Sequence, residues 1–527
     1  MTTKKLQVQE ARLLAGGLGA RSPHPKPAQA ATPRKNGGMR GRRPHGQKAH
    51  TLAFMGALTA LCLLPSVSQA NPFEVFGAGA RGAAMGGALT AESMDFAALH
   101  YNVGAMGFVE RPTASVGFMM GVDDAQIRLK ARPDGYDLPN LGRNSAAIPS
   151  DFRLRTRSDT EGLLDTYGVY MGGVASLGFE NLRIGALIFL PVNRIGLQQT
   201  HFPDEREQYF SNKLHFELLG ERLQRQIIMV GAAYKVAPWL SVGAGISFLP
   251  QSIGVNQVYL DNPTDQSNTD LVIQNDQTGR IAPMVGLKML VGERLKVGLA
   301  WRGELFFSLK GSNEIQIRGF QEVEGEFPVV QEFRVVQNYT PHELALGVSY
   351  NEDNYVVTID VVRALWSRYL NHQGERVEGF DDTFGFRLGT EYEYSDAVLL
   401  RAGFGFTPTP VPDQSGRTNY VDNDRAQFSL GAGHPLRLFG SNVEFSWYMQ
   451  FQYLLPRDTD KDVADVFAGC APGVQTLCDE LPDDEPDPIT GELVPEHAGL
   501  QTGNPGFPGF QSFGVILSVG ADLRWKF

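Results

Sequence analysis

From residue 112 onward the chain is built from fourteen segments in which side chains alternate between two unlike surroundings, and the connections between those segments alternate in length. In 112–122, Ala114, Val116, Phe118, Met120 and Val122 fall on one face while Thr113, Ser115 and Gly117 fall on the other. That is the period of two of a β-strand. In 182–198 the same period puts Leu182, Ile184, Ala186, Ile188, Leu190 and Val192 on one side. The remaining segments lie near 165–179, 222–236, 239–255, 278–291, 294–310, 340–350, 354–370, 381–394, 398–408, 425–435, 441–455 and 511–527. Long connections (123–164, 199–221, 256–277, 311–339, 371–380, 409–424, 456–510) alternate with short ones (180–181, 237–238, 292–293, 351–353, 395–397, 436–440). A sandwich or propeller also has short strands and turns, but it does not require an even strand count or a strict long-short alternation. A transmembrane antiparallel β-barrel does, with short periplasmic turns and long extracellular loops. Closure also removes the unpaired strand edges that hydrocarbon cannot hydrate. The predicted fold class is therefore all-β, a transmembrane antiparallel barrel of about 14 strands spanning 112–527.

The start of the chain supplies the reason to cross a membrane. Eleven Lys or Arg and a single acid, Glu10, lie in residues 1–50, and Thr51–Leu64 is an uncharged, largely apolar run. The run is too short for a spanning helix, which needs roughly 20 residues, and suits a secretory signal with cleavage after Ala70. Leu61 before Cys62 does not fit a lipoprotein signal. Met39 opens a more ordinary signal, so translation is expected to start at either methionine. Of 47 basic and 58 acidic side chains, those beyond the leader leave 21 more acids than bases. Such a balance argues against nucleic acid as a partner. The final strand ends Leu523-Arg524-Trp525-Lys526-Phe527, an aromatic terminus of the kind outer-membrane barrels carry. The predicted location is the cell outer membrane, with outer-membrane lipid and the barrel-assembly machinery as partners.

Residues 71–111 do not read as a strand. They contain GAGARGAAMGGALTAESMDFAALHYNVGAM, with Phe73, Phe76, Met85, Met94, Phe96, Leu99 and Met106 irregularly spaced. So small and apolar a segment is expected to fold inside the lumen, since a dangling tail would be polar.

With these pieces in order, the chain resembles the FadL/OmpP1 family of outer-membrane transporters for long-chain fatty acids and other hydrophobic compounds. The resembling motifs are FGAGARGAAMGGA and LHYNVGAM before the first strand, RPTASVG opening it, GALIFLPVNRIGLQQTHF, AAYKVAPWLSVGAGISF, VGLAWR, TPHELALGVSYN before DVVRALWSRY, and LRAGFGFTPTPVPD. The resemblance implies a fourteen-stranded barrel plugged by an N-terminal hatch. It also implies passive transport from an extracellular groove to an inner pocket and then sideways through a gap in the wall. Two departures stand out. Asn102-Val103-Gly104 replaces the family's Asn-Pro-Ala, and 256–277 is short and polar where better-known members carry helices forming an outer groove.

A proline within a strand suits a lateral gap because it cannot donate to the ladder. Pro191, with Phe189 beside it, is the candidate; a harmless proline near the rim is the alternative. For the inner pocket the candidates are Phe73, Phe76 and Phe96, with Asn102 holding the turn, unless the three rings are simply hatch core. In the loop HFPDEREQYFSNKLHFELLGERLQ, Phe210, Leu214 and Leu218 recur every four residues while Leu214, Phe216 and Leu218 alternate. Helix and strand stay open there, and the loop is a candidate capture surface. Cys470 and Cys478 are expected to form a disulfide in an oxidising compartment. Asp458, Asp460 and Asp462 begin a calcium-loop pattern, but Val463 and Gly469 stand where glycine and glutamate are required. No metal, cofactor or enzymatic motif is expected. The readings that compete with hydrophobic transport are a barrel that docks a secretion machinery and an aqueous porin.

Overall fold

The computed structural model describes residues 72–130, 157–158, 166–192, 226–249, 252–261, 268–318, 329–371, 374–416, 418, 420–438, 440–462, 465 and 509–527. The strands in chain order are β1 (Thr113–Leu129), β2 (Arg157–Ser158), β3 (Thr166–Ala175), β4 (Leu182–Pro191), β5 (Ile227–Ala237) and β6 (Leu240–Leu249). Then come β7 (Ser252–Asp261), β8 (Asn268–Thr278), β9 (Arg280–Val291), β10 (Leu295–Arg302), β11 (Leu305–Arg318), β12 (Val329–Thr340) and β13 (Glu343–Asn351). The chain finishes with β14 (Tyr355–Ala364), β15 (Thr383–Ser395), β16 (Val398–Thr407), β17 (Arg425–Leu438), β18 (Ser441–Asp460) and β19 (Gly509–Lys526).

Omitting β2, the order β1-β3-β4-β5-β6-β9-β10-β13-β14-β15-β16-β17-β18-β19 forms one antiparallel sheet, and β19 pairs back onto β1. The closing register runs from Thr113↔Lys526 to Leu129↔Phe510, and the Phe527 N–H donates to the Pro112 carbonyl at 3.0 Å. The barrel thus has fourteen strands, one in each alternating segment of the sequence.

Burial is inverted relative to a soluble protein. Phe118, Leu299, Leu346, Phe384, Leu430, Met449 and Leu517 are exposed on the outside, while Ser349, Thr358, Asp360, Gln450 and Gln452 are buried on the inside. Apolar residues outward and polar residues toward the lumen are the arrangement a barrel in a bilayer requires. At the short-turn end, Tyr234, Trp239, Tyr350, Tyr355, Tyr392 and Tyr394 are exposed together, the amphipathic girdle expected where hydrocarbon gives way to headgroups.

The connections 256–277 and 311–339 are not plain loops. A second antiparallel sheet in the order β12-β11-β8-β7 takes in most of both, with Ser308↔Thr278 through Arg318↔Asn268 joining the two hairpins. Their sequences, SIGVNQVYLD and NTDLVIQNDQT among them, lack a clean apolar face. A sheet standing clear of lipid needs paired backbone but no hydrophobic side, so periodicity alone misses it.

Candidate functional site

Residues 72–109 form helices at Pro72–Phe76, Gly79–Ala84 and Ala98–Tyr101 and a 3-10 turn at Val103–Phe108. Such short helices cannot hold themselves together in isolation. They are held by the lumen wall, and nearly every residue in the segment is buried. Small residues permit the approach: a Cβ on Gly286 would lie 2.1 Å from Asn102 Oδ1 and 2.8 Å from the Gly104 nitrogen. On the opposite wall, a Cβ on Gly403 would lie 2.1 Å from the Gly86 nitrogen. The glycine and alanine content of this segment is therefore the means by which its backbone reaches the barrel backbone.

Polar anchors are spread around the wall. Asp360 on β14 accepts from the Thr90 N–H at 2.8 Å, and Asp522 on β19 accepts from the Ala80 N–H at 2.8 Å. Gln452 donates to the Val75 carbonyl at 2.8 Å, and Gln450 to the Phe76 carbonyl at 3.2 Å. Arg81 forks onto both oxygens of Glu391 at 3.0 Å. Glu391 also takes Arg401, which continues to Glu444, and Glu444 pairs with Arg524, which reaches back to Asp95 at 2.8 Å. Glu92 receives Lys296 at 2.7 Å, lies 3.9 Å from Lys288 and is bonded by Asn351. Burial alone would raise the pKa of Glu92, but Lys288, Lys296 and Arg81 together hold it below the ordinary value.

Phe73, Phe76 and Phe96 are each 1% exposed. Phe73 meets Phe189 edge-on at 5.5 Å and Tyr170 at 6.1 Å, and Phe96 lies 5.7 Å from Tyr170. Phe76 packs on Gly121, where a Cβ would be 2.7 Å from its Cζ. The structure thus brings Phe73 and Phe96 together with Phe189 against β3 and β4, in a closed aromatic cluster. Asn102 caps the 3-10 turn, its Oδ1 accepting from Gly104 at 3.0 Å, so the amide does locally what a proline would otherwise do.

Pro191 is the last residue of β4 and pairs with Gly168 on β3. The Val192 N–H donates to the Tyr167 carbonyl of β3 at 3.0 Å, so by alternation the Pro191 nitrogen faces β5. Pairing with β5 ends at Phe189↔Ile227. The proline stands two residues beyond the last pair of that ladder among the described residues.

Phe210, Leu214, Phe216 and Leu218, like Cys470 and Cys478, lie outside the described residues. Asp458 and Asp460 both hold Lys130, and the Asp462 N–H donates to the Ser415 carbonyl at 2.8 Å. Among the described residues no three acidic, histidine or cysteine side chains are grouped to hold a metal.

Sequence reasoning missed Arg302 and the cavity beside it. Met229, Ala282, Met284, Leu305 and Pro341 line that cavity together with Glu74, Arg302 and Glu343. Arg302 pairs with Glu343 and donates to His100 Nδ1 at 2.6 Å and to the His100 carbonyl at 2.9 Å. Burial lowers the pKa of His100 well below the usual histidine value, and Arg302 and Arg387 push the same way. The imidazole is therefore neutral and accepts. The only signal in the sequence was a basic residue on an inward position of an otherwise apolar strand, VGLAWR.

Residues 221–446 match the family model for outer membrane protein transport protein (OMPP1/FadL/TodX). The alkane uptake protein A of Marinobacter nauticus is 25% identical over 140 residues, covering 23% of this chain and 31% of that protein. The long-chain fatty acid transport protein of Escherichia coli is 22% identical over 180 residues, covering 31% of this chain and 40% of that protein. The chain thus matches less than half the length of these curated relatives. A Pseudomonas aeruginosa FadL homologue of known structure is similar in fold, with a TM-score of 0.53 at 13% identity over 88% of this chain and 100% of that one. Fourteen closed strands, an apolar outer belt and the match over 221–446 lead to one statement: the chain is similar to the OMPP1/FadL/TodX family of outer-membrane transport proteins.

Proposed function

We propose that this protein is a passive outer-membrane channel for hydrophobic molecules, closed by its N-terminal hatch and releasing its cargo sideways through the wall. The observation that carries the reading is the anchoring of residues 72–109 across the lumen by Asp360, Asp522, Gln450, Gln452, Glu391 and Lys296. A lumen filled in this way suits an apolar cargo better than an aqueous solute. Moving apolar surface into water costs about 25 cal/mol per Å², so such a cargo gains from a dry route. The curated relatives named for alkane uptake and fatty acid transport support the same cargo class. A lateral exit draws its support from Pro191, where the missing N–H coincides with the end of the β4–β5 ladder. Outer-membrane lipid covers the apolar belt, and the assembly machinery reads the strand that ends in Phe527.

The test is uptake of radiolabelled palmitate and hexadecane by cells whose own transporters have been deleted. Expression of this chain should restore entry of at least one of them. Deleting residues 73–100 should convert the barrel into an ion-conducting pore in planar bilayers. No uptake of either probe, together with no gain in conductance, would favour a docking barrel instead.

A further inference from the structure

Where four barrel strands pass into the second sheet, the wall is not equally continuous. β6 and β9 pair up to Leu249↔Arg280, and β7 and β8 resume in the same register at Ser252↔Gln277. β10 and β13 pair up to Arg302↔Glu343, and β11 and β12 resume at Leu305↔Thr340. Between these two junctions the break is much longer. β9 and β10 pair up to Met284↔Arg302, and β8 and β11 resume only at Thr278↔Ser308. Among the described residues no paired positions join 279–283 to 303–307. The six steps from Arg302 to Ser308 at about 3.4 Å each amount to about 20 Å of strand. Within that stretch the Gly303 N–H donates to the Pro283 carbonyl at 2.8 Å, and Pro283 has no N–H with which to return the bond.

The free side of β10–β11 is held from behind instead. The Glu304 N–H donates to His342 Nδ1 at 3.1 Å, and the Tyr339 hydroxyl donates to the Glu304 carboxylate at 3.1 Å. Side chains fill the gap: Leu249, Ala282 and Leu305 form one buried cluster, and the Arg280 guanidinium lies over the Phe306 ring at 3.5 Å. Side chains can rotate aside without leaving backbone groups unpaired in hydrocarbon, the cost that keeps the rest of the wall shut. Apolar surface continues on both sides. Outside, Ile281 is 65% and Val285 51% exposed; inside lies the cavity of Met229, Ala282, Met284 and Leu305. The height fits the outer leaflet. The Leu290 N–H donates to the carbonyl of Trp239 in the aromatic girdle. From Leu290 to Ile281, nine residues at about 3.4 Å and about 40° of tilt rise roughly 23 Å, close to the outer edge of an apolar band about 25 Å tall.

We propose that the wall between β9 and β10–β11 is a second lateral opening, through which neutral apolar molecules dissolved in the outer leaflet enter the cavity beside Met284 without crossing the external solution. The proposal rests on the transport reading and adds to it a way in from the membrane, separate from Pro191 on β4. The cargo class follows from the lining. Arg302 in that cavity is already paired with Glu343 and bonded to His100, and the methionines adapt to irregular apolar shapes.

The test uses the full-length protein, in a Cys470→Ser/Cys478→Ser background, in phosphatidylethanolamine–phosphatidylglycerol vesicles containing a diazirine-bearing hexadecane. Ala282→Cys/Leu305→Cys sets two thiols in the cluster that fills the gap, so that oxidation ties the strands and reductant frees them. In the reduced protein, photolabel should reach the inward-facing Met284. Oxidation should lower that label at least fivefold while label on the outward-facing Val285 stays constant, and reductant should restore it. Heat-modifiable gel mobility shows whether the variant is folded. If the pair does not fold or does not bridge, Pro283→Val, which supplies the N–H that the ladder lacks, carries the comparison and should lower the Met284 label severalfold. Label on Met284 that survives these closures, or that is absent from the reduced protein while cells expressing it take up hexadecane, would overturn the opening and leave transport standing. Cells that take up neither hexadecane nor palmitate would overturn the transport reading beneath it.

Discussion

Asn102 is 1% exposed and uses its whole amide. Nδ2 donates to the Thr90 carbonyl at 2.8 Å and the Leu287 carbonyl at 2.9 Å, while Oδ1 accepts from Gly104. Asn102→Ala leaves buried carbonyls unmatched, each costing about 1–3 kcal/mol. The thermal transition in detergent should fall, and single-channel traces should show leak events absent from wild type; unchanged traces would remove Asn102 from the anchor set. Glu92 makes a second prediction at this scale. Its pKa is held below the ordinary 4.5 by Lys288, Lys296 and Arg81, against burial. A depressed carboxylate contributes stability above its ordinary pKa and loses it as pH falls through the lowered folded value. Hatch anchoring should therefore be constant between pH 7 and 5 and weaken only under stronger acid. Bilayer conductance scanned downward from neutral pH checks this, and Glu92→Gln should leak already at pH 7.

Among the elements, β4 carries the sharpest prediction. Because the Pro191 nitrogen faces β5 just past the Phe189↔Ile227 pair, Pro191→Val supplies an N–H where the ladder now stops and a β-branched side chain that strands favour. The barrel should fold as before or slightly better, and cargo uptake should fall severalfold. Wild-type uptake by the valine variant would place the exit elsewhere. The contact of the 3-10 turn with β9 is the complementary case. A Cβ at Gly286 cannot coexist with Asn102 Oδ1 at 2.1 Å, so Gly286→Ala should displace the turn while leaving a side chain that a strand accepts. Conductance should rise with little change in heat-modifiable mobility.

For the whole molecule, strand direction sets which connections share a face. The turns after β3, β5, β9, β13, β15 and β17 lie with Phe527 at one end, and the exposed tyrosines and Trp239 ring that end. The sheet of β7, β8, β11 and β12 stands at the other. A peptide tag between Asp460 and Gly509 should be labelled on intact cells, and a tag at 180–181 should be labelled only after the outer membrane is opened. Equal labelling of both would invalidate the orientation.

What the sequence determined by itself was local or set by the solvent. The period of two in 112–122 and 182–198 follows from backbone geometry and from a bilayer that rewards one apolar face, and each is readable within a dozen residues. The small-residue run from Gly77 to Met106 pointed to a fold inside the lumen, though not to the wall residues it would meet. Tertiary structure decided the rest. Glu92 meets Lys296 across 204 residues and Asp95 meets Arg524 across 429, and no spacing rule links such positions until the barrel closes. Phe73 and Phe96 read equally well as pocket or core, and only barrel closure, which sets the strands that become neighbours, puts Phe189 and Tyr170 against them.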